Sequence, residues 1–141
     1  MKVREGLVLK WYRDSLGKWT GGYGHLRKPG EESLTITPAL AEKWLSEDIR
    51  IARDAAKKQF ALLPIQTENL LDTLVSVNFQ LGTAWTAIHK RTWALMVAGK
   101  YPEAAQEAKN SIWYTQTPVR VEDLASALYE AHRLGAEYDA L

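Results

Sequence analysis

The chain has 141 residues, of which 46% are hydrophobic and 25% are charged. These proportions are typical of a globular domain, and neither of them indicates disorder. The formal net charge of +1 is too small to indicate nucleic-acid binding, and the absence of cysteine excludes disulfides and thiolate metal sites. The histidines at 25, 89 and 132 have no metal-ligand spacing, so we expect no metal and no cofactor.

No apolar run approaches the roughly 20 residues that a membrane span needs, and the start of the chain, MKVREG, has no secretory apolar segment. We therefore expect a protein that is made in the cytoplasm, with no membrane span in this chain and no nucleic-acid partner. An export segment that precedes this sequence is the alternative.

Residues 7–36 have the pattern of a small antiparallel sheet of about three strands. LVLKWYR and SLTI carry β-branched and aromatic residues, and glycines interrupt them as turns. Basic side chains crowd the first 28 residues against two acids, Glu5 and Asp14; they are Lys2, Arg4, Lys10, Arg13, Lys18, Arg27 and Lys28. This excess fits either an anionic ligand or a solvated basic face.

The rest of the chain has helical periodicity. Thr37 and Pro38 form a start signal, a capping hydroxyl before a proline at the first helical position, and a long helix over about 37–62 follows. Further helices are predicted from about Thr67 to Gly82, near 92–98, near 102–109, and from Thr117-Pro118 to just before Gly135.

These elements predict an α+β fold. An N-terminal β lobe at about 7–36 is joined by the long helix to a helical C-terminal lobe at about 63–141. A ligand cleft is expected beside the long helix, where the two lobes meet.

Two carboxylates nine residues apart, Glu5 and Asp14, can face that cleft if the chain enters the sheet as a strand. Glycoside hydrolysis needs such a pair, because one group protonates the leaving oxygen while the other, ionised, supports attack on the anomeric carbon. Surface carboxylates are common, however, and the spacing alone also fits two unrelated acids. Thr20 and His25, taken singly, equally fit structural roles.

An ordered set of motifs adds to this pattern. EG at 5–6, Y-x-D at 12–14, Gly17 and T-x-G-x-G-H at 20–25 resemble the phage lysozyme (endolysin) family of the T-even phage type. ITPALAEKWLSEDI, NFQLG and WYTQTPVR are similar to that family's helix start after the sheet, central helix end and C-terminal signature. The resemblance covers roughly residues 5–120 and implies a single lysozyme-like α+β catalytic domain over residues 1–141.

The resemblance also implies a reaction. Glu5 falls on the general acid, which protonates the glycosidic oxygen between N-acetylmuramic acid and N-acetylglucosamine. Asp14 takes the place of the second carboxylate, and Thr20 lies where the family holds the attacking water. The resemblance also implies hydrolysis with inversion. A hydroxyl at Thr20 fits this, because a water nucleophile needs room between the carboxylate and the sugar. The implied partner is the glycan strand of bacterial peptidoglycan, cleaved by a monomer that lyses the phage host after release through the inner membrane.

Supporting and substrate-binding residues are carried over in the same way. Arg120 falls on an arginine that pairs with the catalytic glutamate, and His25 on a histidine that pairs with an aspartate, here Asp48. The implied substrate contacts are Leu26, Phe79 and Thr92, with Gln80 as a further polar contact and Glu107 where an amide is expected.

Two alternatives stay open. A lytic transglycosylase needs only the acid glutamate, since the sugar's own hydroxyl closes onto the anomeric carbon; Asp14 and Thr20 argue against it, because that reaction needs no positioned water. A wall-binding module of the same fold needs none of these groups, and their presence together disfavours it.

Overall fold

The computed structural model describes residues 6–139 of the chain. Its strands form one antiparallel sheet in which sequence neighbours are also neighbours in space: β1 (Val8–Arg13), β2 (Trp19–Gly22) and β3 (His25–Leu26). The small antiparallel sheet predicted from the sequence is therefore confirmed.

The register of the sheet decides which side chains share a face. Tyr12 pairs with Thr20, and Thr20 with Leu26, so these three form one row across the strands. In the next row Arg13 pairs with Trp19. Because successive side chains of a strand point to opposite faces, the two rows lie on opposite sides of the sheet.

The chain continues as helices over the rest of the described residues. They are α1 (Pro38–Phe60), α2 (Glu68–Leu81), α3 (Trp85–Ile88), α4 (Lys90–Val97), α5 (Tyr101–Lys109), α6 (Ile112–Gln116) and α7 (Pro118–Asp139). The predicted α+β fold is thus confirmed, while the division into two lobes stays a prediction. No helix in this part of the chain combines the length and the apolar character needed to cross a bilayer.

Local signals explain where the longer helices start. The hydroxyl oxygen of Thr37 accepts the Leu40 backbone N–H at 3.1 Å, and that of Thr67 accepts the Leu70 N–H at 3.1 Å. Each threonine therefore satisfies a backbone donor that the first helical turn leaves without a partner. Helices α3 and α6 were missed because a helix of one turn shows no periodicity in the sequence.

The prediction that the last helix ends before Gly135 was wrong, because α7 continues to Asp139. A side chain at Gly135 would place its Cβ only 2.9 Å from Cδ1 of Ile65, which lies between α1 and α2. The glycine serves close packing of α7 against that connection and does not end the helix.

Buried side chains form two clusters of unequal size. The smaller consists of Ile36, Ala41 and Trp44, and the sheet residue Trp11 packs against it. The larger cluster lies among the helices and includes the fully buried Trp85, Trp113, Tyr101, Leu70 and Leu128. A Cβ at Gly21 would collide with Ile36, so β2 lies directly on this small cluster and on α1. That contact positions the sheet residues of the site.

Candidate active site

Asp14 follows β1 and organises the turn into β2. Its Oδ1 accepts the backbone N–H groups of Leu16 at 2.9 Å and Lys18 at 2.8 Å. Within the described residues no donor reaches the other carboxylate oxygen, Oδ2. One oxygen thus holds the turn, while the other is available to a ligand in the cavity that Asp14 lines.

Thr20 is buried in β2, with 3% of its surface exposed. Its hydroxyl donates to the backbone carbonyl of Lys18 at 3.0 Å. Because a hydroxyl has one proton and two lone pairs, the oxygen is left as an acceptor only. The turn after Asp14 therefore orients both polar groups.

A cavity of about 210 Å³ brings together residues from the sheet, from the end of α2 and from the start of α7. It is lined by Tyr12, Asp14, Ser15, Thr20, Gly24, Leu26, Phe79, Gln80 and Thr117. Five predicted site residues, Asp14, Thr20, Leu26, Phe79 and Gln80, share this cavity. A neighbouring cavity of about 150 Å³ shares Leu26 and Phe79 and reaches Asp48 on α1.

Gln80 lines this cavity, and the acceptor oxygen of its side chain is buried. Its Oε1 is buried and has no hydrogen-bond partner in the described part of the chain. A buried acceptor without a partner costs on the order of 1–3 kcal/mol.

Lys18 connects the two walls of the cavity. Its Nζ donates to the backbone carbonyl of Leu81 at 2.9 Å, which ties the turn after Asp14 to the end of α2. Leu81 follows Gln80 directly, so the bond helps to set the separation of Asp14 and Gln80. The sequence offered no signal for this contact, because its partners are 63 residues apart.

Two of the predicted substrate-binding residues lie elsewhere. Thr92 is buried in α4 with 3% exposure and does not line the cavity. Glu107, on α5, has its Oε2 3.3 Å from the Nε of Arg91 and lines a separate groove between α4 and α5. The structure does not bring either residue to Asp14 and Thr20, and their contacts with substrate stay predictions.

The predicted acid, Glu5, lies outside the described residues. Its predicted partner Arg120 is on α7, 9% exposed, and its Nη1 donates to the backbone carbonyl of Ser76 at 3.1 Å and to the Ser76 hydroxyl at 3.3 Å. These bonds hold the guanidinium against α2. The pairing of Arg120 with Glu5 stays a prediction.

His25 lies between two carboxylates. Its Nδ1 is 2.6 Å from Oδ2 of Asp48 on α1, and its Nε2 is 2.9 Å from Oε1 of Glu31. The ring stacks on Trp44 with 4.1 Å between centroids. Burial lowers the pKa of His25, but hydrogen bonds and charge from Asp48 and Glu31 outweigh it, so the pKa lies above 6.5. The predicted pair with Asp48 thus has a second acid that sequence reasoning missed.

Comparison with known proteins shows which family and which relatives the chain resembles. Residues 2–126 match the family described as phage lysozyme. A probable T4-type lysozyme 2 of Dictyostelium discoideum is 29% identical, with 85% of each chain covered. An endolysin of Acyrthosiphon pisum secondary endosymbiont phage 1 is 38% identical over 61% of this chain and 58% of its own length. A peptidoglycan hydrolase, gp36 of Pseudomonas phage phiKMV, is 28% identical over 79% of this chain and 12% of its own length.

The α+β fold, with a cavity beside its small sheet, is that of a lysozyme-like protein. The chain belongs to the phage lysozyme family, as the motifs at 5–25, 78–82 and 113–120 predicted.

Proposed function

We propose that this protein is a muramidase that hydrolyses the β-1,4 bond between N-acetylmuramic acid and N-acetylglucosamine in bacterial peptidoglycan. The observation that carries the proposal is that Asp14 and Thr20 line one cavity. Among residues 6–139 no donor reaches Oδ2 of Asp14, and the hydroxyl proton of Thr20 is donated to the Lys18 carbonyl. A relative named as a peptidoglycan hydrolase supports the substrate class.

The two groups suit a water nucleophile. A water in the cavity can donate one proton to Oδ2 of Asp14 and the other to the oxygen of Thr20, which leaves its lone pair for the anomeric carbon. As the new C–O bond forms, Asp14 takes the proton of the water. Glu5 protonates the glycosidic oxygen as the old bond breaks. Attack from the face opposite the leaving group inverts the anomeric centre.

The other cavity residues suit a sugar that carries an acetamido group. Gln80 lines the cavity, and a turn of its side-chain amide toward the cavity would let Oε1 accept the acetamido N–H. Phe79 and Leu26 offer apolar surface to the ring carbons. Arg120, on α7, is proposed to hold Glu5 in place, as its position in the family motif implies.

The proposed role is lysis of a bacterial host at the end of phage infection, and a relative named as an endolysin supports it. The enzyme would be made in the host cytoplasm, act as a monomer and reach the wall after release through the inner membrane.

Digestion of purified peptidoglycan in ¹⁸O-labelled water tests the reaction. We expect fragments with one labelled oxygen at each new reducing end, and no fragments from Glu5→Gln, because an amide has no proton to give at neutral pH. Glu42→Gln, a change of the same kind on the exposed side of α1, should leave the rate unchanged. Unlabelled anhydro-sugars would identify a transglycosylase, and binding without release would identify a wall-binding module; either result contradicts the proposal.

A further inference from the structure

The sheet face turned away from the cavity carries a row of alternating charge and aromatic surface. Trp19 lies on the middle strand, with Arg13 opposite it on β1 and Arg27 opposite it just after β3, where the Arg27 backbone N–H bonds to the Trp19 carbonyl at 3.0 Å. The guanidinium carbons lie 4.8 Å and 4.7 Å from the centroid of the Trp19 ring. We call these three residues the Arg-Trp row.

The Arg-Trp row does not belong to the cavity. Tyr12, Thr20 and Leu26 form the neighbouring row and line the cavity from the other face of the sheet. The cavity itself contains none of the three residues of the Arg-Trp row. Its side chains are therefore open to a ligand other than the one that the cavity holds.

In the part of the chain that the structure describes, the two charges of the row have no carboxylate partner. Among residues 6–139 neither Arg13 nor Arg27 forms an ion pair. Arg13 makes one long hydrogen bond, 3.4 Å from its Nη1 to the Gly17 carbonyl. The Arg27 side chain makes no hydrogen bond to the described residues, and its guanidinium also lies 5.6 Å from the centroid of the Trp11 ring. Two cations beside one ring repel each other, and a stacked guanidinium keeps the N–H groups of its edge free. An anion with several oxygens suits both features.

Trp19 in the row is exposed, and two leucines at the start of the sheet are exposed as well. Trp19 is 39% exposed, Leu9 on β1 is 47% exposed, and Leu7 just before β1 is 40% exposed. A soluble polyanion gains nothing from such groups. At a bilayer surface, tryptophan and leucine enter the interface while neighbouring cations bind anionic headgroups.

On the same face Trp11 and Gly21 pack on Ile36, so the Arg-Trp row forms the uncovered end of that face. We propose that the Arg-Trp row docks on a bilayer that contains anionic phospholipid, with Arg13 and Arg27 binding headgroup phosphates and Trp19 seated at the interface. The inference does not depend on hydrolysis, since it concerns the face opposite the cavity. An anionic bilayer would also be a ligand for the excess of basic side chains among the first 28 residues.

Co-sedimentation with vesicles tests the proposal. The full chain should bind vesicles of equal parts phosphatidylglycerol and phosphatidylcholine, and not vesicles of phosphatidylcholine alone. Each cation near an anionic surface contributes roughly 5-fold in partitioning, so Arg13→Gln/Arg27→Gln should weaken binding about 25-fold. The control Arg50→Gln/Arg53→Gln removes the same charge from exposed positions on α1 and should weaken binding less than about 3-fold.

A second variant distinguishes binding to a bilayer from binding to a soluble polyanion. Trp19→Ala keeps both charges and should lower vesicle binding several-fold while leaving any binding of soluble polyphosphate unchanged. Should the double variant fail to fold, Arg13→Gln alone, at an exposed position, should still lower vesicle binding about 5-fold. The proposal is overturned by equal losses in the two double variants, by an unaffected Trp19→Ala, or by no binding to anionic vesicles.

Discussion

At the scale of single residues, Asp14 combines a structural and a chemical task on its two carboxylate oxygens. Oδ1 accepts two backbone N–H groups of the turn, and Oδ2 is left for the cavity. The same turn places the Lys18 carbonyl where it takes the hydroxyl proton of Thr20. The local backbone therefore prepares both groups before any substrate arrives.

Asp14→Asn should separate the two tasks. An asparagine keeps an oxygen for the turn but loses the charge, so we expect the rate of peptidoglycan digestion to fall about 10²–10⁴-fold with little change in melting temperature. Asp14→Ala also removes the hydrogen bonds to the turn, so it should lower both the rate of digestion and the melting temperature. Reducing-end release and thermal melting measure the two effects. Activity within ten-fold of the native enzyme in Asp14→Asn would rule out a catalytic role for this carboxylate.

His25 should make stability depend on pH. Its pKa in the folded protein lies above the ordinary 6.5, so the stabilisation is complete below pH 6.5 and is lost as pH rises through the folded pKa. His25→Gln should lower the free energy of unfolding by about 1.5–3 kcal/mol at pH 5.5, which is typical of hydrogen bonds to a charged group. The loss should be smaller at pH 8.5. Urea unfolding of both proteins across this range measures the difference.

Glu31→Gln serves as the matched control for His25, because it removes one of the two carboxylates and keeps the shape of the side chain. The pH dependence should then weaken but persist through Asp48. A loss from His25→Gln that is the same at pH 5.5 and pH 8.5 would mean that the ring contributes only by packing on Trp44.

At the scale of elements, an amide pair joins three helices behind the cavity. Asn78 on α2 and Gln59 on α1 bond reciprocally, with N···O distances of 2.8 Å and 3.0 Å. Trp85 Nε1 on α3 donates to Gln59 at 3.1 Å, and Asn78 also donates to the Leu74 carbonyl at 2.8 Å. Because Phe79 follows Asn78 directly, this network sets the position of α2 at the cavity.

A double-mutant cycle tests the amide pair. Asn78→Leu leaves the Nε2 donor of Gln59 without its acceptor and removes the side-chain bonds to Gln59 Oε1 and to the Leu74 carbonyl, so it should lower the free energy of unfolding by about 1–3 kcal/mol. Adding Gln59→Leu should cost less than the sum of the single changes, because the two groups share their partners. Asn69→Leu on α2 is the control; it removes only an exposed hydrogen bond, 3.3 Å from Nδ2 to Glu130 Oε2, and should change the free energy of unfolding by less than about 0.5 kcal/mol. Strict additivity in urea unfolding would show that the pair is not coupled.

At the scale of the whole molecule, the two buried clusters predict uneven stability. The cluster under the sheet has three buried residues, whereas the cluster among the helices includes most of the large buried side chains. Free energy from burial grows with apolar area. Opening of the sheet is therefore expected to cost less than unfolding of the helices α5 and α7.

Native-state hydrogen exchange checks this expectation. Backbone amides of β1 and β2 should exchange through an opening of lower free energy than those of α5 and α7. Ile36→Ala should lower protection in the sheet. Leu128→Ala should lower the free energy of unfolding by about 2–5 kcal/mol and lower protection in the helices. Equal protection throughout the described residues would instead indicate one cooperative unit.

The sequence by itself determined the parts of this protein that depend on neighbouring residues. Thr37 and Thr67 cap helices because a side-chain oxygen reaches a backbone N–H three residues away. Asp14 and Thr20 meet at one cavity because a single short turn separates them, and β-branched and aromatic residues predicted the strands around them. The family motifs occur in the same order along the chain as these elements, which allowed each motif to be assigned to an element.

Only the tertiary structure decided which distant residues meet. The bond from Lys18 to Leu81, the amide pair of Gln59 and Asn78, and the Arg-Trp row all join segments that are far apart in sequence or lie on different strands. Gly135 shows the same limit: as a local signal it predicted a helix end, but its close contact with Ile65 makes it a packing residue within α7. The physical reason is that such contacts arise from packing between elements, whereas sequence patterns report only the preferences of the chain within each element.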